Sequence, residues 1–200
     1  MRRFLPTTVT VLTLMASAAL AGDSYVNVDK DGNIVVSGPF NATIPRPPGA
    51  RIGGPVNSSP SFLDEQLKVS TAGYFADNQF VTVQVETTDA GAGTLTDKNY
   101  PVVEIAGEEF RAREACIDIS QGELDADDDP VFEFIEAQNV QIVPAMQAVQ
   151  LVVINDDGTA QGTILFMRNV PGGCEAMSPE FKAEFDAAFE RFIESVRAAN

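Results

Sequence analysis

The chain has 200 residues with 29 acidic and 13 basic side chains, a formal charge of −16, and no histidine. So negative a surface argues against nucleic acid or anionic lipid as a partner. The missing imidazole excludes Ser-His-Asp and Cys-His nucleophiles, imidazole-dependent zinc, copper and iron sites, and the commonest general base near neutral pH.

Residues 1–21 read as a secretory signal peptide. Arg2 and Arg3 supply the charged start, Leu5 to Leu20 the apolar run, and Ala19-Leu20-Ala21 a small-x-small cleavage site. Pro6 and several threonines interrupt the run, so no membrane insertion is expected after cleavage. A periplasmic or secreted chain of about 179 residues is left, enough for one domain with its own core. Two cysteines, Cys116 and Cys174, in an oxidising compartment predict one disulfide.

Residues 22–38 predict an N-terminal hairpin, with Tyr25–Val28 and Asn33–Val36 flanking a turn at Asp31-Gly32. Residues 39–62 are rich in proline and glycine and without periodicity, which reads as a surface arm or linker. Residues 63–200 are expected to form a single α+β domain. Leu67–Ser70 and Phe80–Glu86 read as strands joined by a loop over Gly73–Asn78, and Val81, Val83 and Val85 alternate with polar neighbours.

Tyr100–Ile105 and Glu109–Ile119 predict a hairpin around Ala106-Gly107-Glu108. Phe110 and Ala112 differ in parity from Ala115, Ile117 and Ile119. A bulge near Arg113–Ala115 would restore one buried face and turn Arg111, Arg113, Cys116 and Asp118 outward. Cys116 would then be within reach of Cys174. Arg111 and Arg113, with Arg168 on a later strand, are candidates for an anion-binding patch, although pairing with neighbouring glutamates is the plainer reading.

The acidic run Glu123–Asp129 ends in Asp129-Pro130, a helix-start signal for a short helix over Val131–Gln138. Asp125, Asp127, Asp128 and Asp129 are also candidate calcium ligands, since calcium takes oxygen donors. No other cofactor is implied. Ala148–Ile154 and Thr163–Met167 read as the last strands. Ser178-Pro179 then opens the clearest amphipathic helix, with Phe181, Phe185, Ala188, Phe189, Phe192, Ile193 and Val196 on one face. These rings imply either packed core or a pocket for a small hydrophobic ligand between helix and sheet.

The end of that helix, Phe189-Glu190-Arg191-Phe192-Ile193-Glu194-Ser195-Val196-Arg197, resembles the closing helix of PsbP/Mog1-type domains. The resemblance covers some twenty residues and implies an α/β sandwich acting as an assembly or binding factor; no functional residue carries over. The sequence therefore predicts an α+β fold: a mostly antiparallel twisted sheet, the C-terminal helix across one face, one short additional helix and one disulfide. The expected function is a non-catalytic periplasmic binding or accessory protein, with an unknown protein or a small hydrophobic ligand as its partner. A calcium-binding protein is the second reading and a carboxylate-dependent hydrolase the third.

Overall fold

The structure, a computed structural model, describes residues 24–38, 40–59, 61–62, 65–76, 78–88, 100–120, 130–140 and 142–200. Three short strands, β1 (Val26–Val28), β2 (Ile34–Val36) and β3 (Ala42–Ile44), form a small antiparallel sheet. The Asp29 carboxylate closes the first turn by accepting from the backbone N–H of Asp31 and Asn33 and from the Asn33 amide. β4 (Arg51–Ser58) comes next, and β5 (Ser61–Phe62) and β6 (Glu65–Gln66) pair with each other. The main sheet adds β7 (Lys68–Ala76), β8 (Gln79–Thr87), β9 (Val102–Ile105), β10 (Glu108–Asp118), β11 (Ala145–Ile154) and β12 (Ala160–Asn169). Its seven strands run β4–β7–β8–β12–β11–β10–β9, every neighbour antiparallel. Ala106 and Gly107 both have positive φ, the backbone that a two-residue hairpin turn between β9 and β10 requires.

Helix α1 (Pro130–Ala137) and helix α2 (Pro179–Ala199) pack on opposite faces of the main sheet. Ser178 caps α2 by accepting from the Phe181 N–H, and Pro179 occupies the first turn, where its missing N–H has no partner to lose. The aromatic stripe lands on Phe166 of β12, with the rings of Phe185, Phe189 and Phe192 at 5.3–5.5 Å from it. The space under the helix is therefore filled by side chains. Each fully buried ring or branched chain there stabilises the fold by roughly 1.5–3 kcal/mol. The far end of the helix is clipped to β3, since the Asn200 side chain bonds both the N–H and the C=O of Thr43.

Tyr74 joins the two sheets. It is 1% exposed, and its hydroxyl accepts from the Ile34 N–H at 2.6 Å and lies 2.7 Å from the carbonyl oxygen of Ile44. Close by, Phe40 packs against Gly162, where any Cβ would sit 1.9 Å from a ring carbon, and it meets Phe110 edge to face. On the far face, Phe134 and Ile135 of α1 pack with Phe75, Phe80, Met146 and Met167.

Several expectations change. Gly73–Asn78 is not a loop joining two strands: β7 runs through Ala76, and Tyr74 and Phe75 are buried. The segment 39–62 contributes β3, the edge strand β4 and buried Phe40, Ala42, Ile44 and Ala50 rather than an arm. Its register irregularity, between Gly53 and Val56, holds Pro55 on a sheet edge, where a missing N–H breaks no ladder. The hairpin of 22–38 is completed by β3 and packs on the main sheet.

No bulge interrupts β10, whose pairing runs unbroken from Arg111↔Val152 to Asp118↔Ala145. The change of apolar parity has another cause: the sheet is covered on both sides, at different places. Phe110 and Ala112 point to the α2 core, whereas Ile119 points to the α1 core. Strict alternation then puts Cys116 and Asp118 on the α2 side, opposite to Arg111 and Arg113. Cys116 and Cys174 form the disulfide, with Cα atoms 5.7 Å apart across 58 residues. The Cys174 N–H also donates to Asp118 Oδ1 at 2.8 Å, so β10 holds the turn that leads into α2 at two points.

Candidate functional site: an arginine-lined groove beside the terminal helix

The outer stripe of α2 carries Glu184, Ala187, Ala188, Arg191 and Ser195, at the i, i+3, i+4, i+7 spacing of one helical side. Small residues at 187, 188 and 195 leave the wall low. Opposite stands the Pro45–Pro48 segment, held against the helix because Asn200 ties the end of α2 to β3, just before it. The β7–β8 turn, with Asn78 and Gln79, closes one end. Between these walls lie two adjoining open hollows of about 340 and 530 Å³ that share Pro47, Pro48, Gln79, Ala188 and Arg191. From Glu184 to Ser195 the helix rises about 16 Å.

Three arginines line this groove, with Glu184 the acid among its lining residues. Arg46 holds the carbonyl oxygen of Ala50 through Nε and Nη2, which fixes its side chain. Arg168 is half-buried on β12. It lies over the Phe181 ring at 4.8 Å and reaches Glu184 at 3.4 Å, while its buried Nε has no acceptor. Arg191 is exposed and makes no ion pair among the described residues. Prolines 45, 47 and 48 contribute no backbone donors, so the side-chain donors along this groove are the guanidinium groups and the amides of Asn78 and Gln79.

Beyond the groove, the titration shifts are structural. Burial pushes the Tyr74 hydroxyl up to about 12. Asp29 and Asp157 are lowered by side-chain bonds, from Asn33 and Thr159 respectively, and Glu180 is lowered by bonds at the helix start. Burial works against the Lys182 ammonium, but its bonds to Asp186 and Glu114 outweigh it and raise the pKa. Each of these shifts moves its group away from neutrality, the reverse of what an acid–base catalyst requires. Both cysteines are consumed by the disulfide.

The predicted anion patch is divided by the sheet. Arg111 and Arg113 lie on the far face, whereas Arg168, cross-strand partner of Gln147, lies on the α2 face. Arg168 thus joins Arg46 and Arg191, two residues that sequence reasoning did not select. For Arg191 a signal existed in the low, polar stripe of the helix, but its facing wall comes from a segment more than 140 positions away. Asp125, Asp127, Asp128 and Asp129 lie outside the described residues. Among the described residues, no three acidic or cysteine side chains gather around a common point, and no helix is long and apolar enough to cross a membrane. No family model, curated protein or solved structure matches the chain.

Proposed function

We propose that the protein is an exported, non-catalytic binding or accessory protein that holds an extended acidic segment of a partner protein in the groove beside α2. The observation that carries this reading is the meeting of three arginines in one groove of a chain with formal charge −16. A solvated acidic surface would neutralise its scarce cations locally, yet Arg191 makes no ion pair among the described residues. A peptide chain at about 3.3 Å per residue fills the 16 Å groove with roughly five residues, and alternate side chains then reach the arginines. The leader pattern and the disulfide support a periplasmic or secreted location. The absence of histidine and the direction of the titration shifts favour binding over catalysis. The ring-filled space under α2 disfavours a small hydrophobic ligand there.

A labelled peptide of about six residues, alternating acidic and small side chains, tests the reading by fluorescence anisotropy at about 0.15 M salt, where long-range repulsion from the acidic surface is screened. A bidentate arginine–carboxylate pair contributes about 1.5–3 kcal/mol, so the Asn/Gln copy of the peptide should bind about tenfold more weakly or worse. Arg191→Glu should weaken the acidic peptide similarly while leaving the melting temperature unchanged. Equal affinity for both peptides, or an Arg191→Glu protein that binds normally, defeats the proposal.

A further inference from the structure

The three arginines of the groove are not equally free to take a ligand. Arg46 is held on the carbonyl oxygen of Ala50. Neither it nor Arg191 makes an ion pair among the described residues. Arg168 differs, because Glu184 already lies on its Nη1 at 3.4 Å, and Glu184 is itself part of the groove lining. The two partners are held very differently. The Arg168 side chain is 21% exposed, with its guanidinium over the Phe181 ring and its Nε buried, whereas the Glu184 side chain is 68% exposed. Shielding from water makes a carboxylate at the open edge of that guanidinium favourable. Glu184 gains little in return. Its bond is long for a charge-assisted one, exposed pairs of this kind are weak, and its side chain has no second partner among the described residues. The arginine is fixed and its acid is replaceable.

We propose that Glu184 is an internal stand-in for a ligand carboxylate: it holds Arg168 in the empty groove, and an incoming acidic segment displaces it. This rests on the reading of the groove as a site for acidic segments, and it names a residue that sets how tightly such a segment binds. Ligand acids reach Arg46 and Arg191 without an internal competitor, whereas an acid placed on Arg168 must first turn Glu184 away. Rotation of the Glu184 side chain into solvent is enough, with no movement of the backbone of α2. Removing the Glu184 carboxylate should therefore tighten binding by the strength of the displaced pair, about two- to fivefold for an exposed pair.

Fluorescence anisotropy with the labelled acidic peptide, on the full exported chain with its disulfide intact, reads this directly. Glu184→Gln and Glu184→Ala should each bind the peptide about two- to fivefold more tightly than the wild type. Glu190 is exposed on α2 outside the groove lining, so Glu190→Gln removes the same charge and measures what charge alone contributes. Its effect should be smaller, because salt screens the longer distance. In an Arg168→Gln background, the gain from Glu184→Gln should shrink to that of Glu190→Gln, since no pair is left to displace. Weaker binding by Glu184→Gln overturns the proposal and makes Glu184 a residue that positions Arg168. It is equally overturned by unchanged affinity, by a gain no larger than that of Glu190→Gln, or by a gain that persists undiminished without Arg168. The groove reading survives those results, because the peptide still binds. Failure of both the wild type and Glu184→Gln to bind the peptide removes the groove reading, and this proposal with it.

Discussion

Breaking the Cys116–Cys174 bond is the perturbation whose size the structure sets most closely. The bond joins β10 to the turn that opens α2 and closes a loop of 58 residues. In the chain-entropy model, releasing a loop of that length gives the unfolded chain about 4 kcal/mol of added freedom. The folded state keeps its other holds on the helix: the Cys174–Asp118 bond, the Ser178 cap and the rings around Phe166. The loss should therefore be one of stability with the fold retained. For a domain of this size each kcal/mol corresponds to about 2–4 °C, so melting should fall by about 8–16 °C. Circular-dichroism melts of the oxidised protein, the reduced protein and the Cys116→Ala/Cys174→Ala variant provide the measurement. Agreement of all three within about 2 °C would refute the reasoning, since the bond would then constrain nothing that the unfolded chain gains by losing it.

Tyr74→Phe removes the hydroxyl that accepts from the buried Ile34 N–H, and should cost about 1–3 kcal/mol in a urea titration; an unchanged midpoint would mean that water reaches that N–H. The pH dependence follows from the same group. Because its folded-state pKa is raised to about 12, the folded protein holds this proton where the unfolded chain has begun to lose it. The stability it contributes is complete below about pH 10 and is lost as pH rises toward 12. Urea midpoints of the wild type should therefore fall more steeply across that window than those of Tyr74→Phe, and parallel curves would contradict the assignment. Thr82 is 1% exposed and its hydroxyl has no partner, so Thr82→Val should raise stability by about 1 kcal/mol or more. A loss of similar size would show that the hydroxyl is bonded.

The parts of the fold that were legible in the sequence are those set by neighbours in the chain. The period of the phenylalanines and the Ser178-Pro179 start define α2 without reference to the sheet, and Asp31-Gly32 and Ala106-Gly107 mark their turns through backbone geometry alone. The even pair of cysteines made the disulfide readable. What failed depends on contacts between distant segments. The parity change in β10 looked like a bulge because one buried face was assumed, whereas two helices cover the sheet on opposite sides. Gly73–Asn78 looked like a loop because Gly73 and Asn78 are turn residues, yet Tyr74 and Phe75 each have a core to enter on their own side. The candidate groove was hidden for the same reason. Arg168 could be assigned to a face only through its pairing with Gln147, and Pro45–Pro48 becomes a wall only because β3 docks on the end of α2.

The central claim, that the groove beside α2 binds acidic chain segments, is tested most directly by a nitrogen-15 NMR titration with the acidic peptide. Saturable shifts are predicted at Gln79, Ala187, Ala188, Arg191 and Ser195, with none at Arg113 across the sheet and with saturation at about tenfold higher peptide concentration in the Arg191→Glu protein. The account is contradicted if these amides do not move, if the shifts gather on β10 instead, or if the uncharged copy of the peptide produces the same changes.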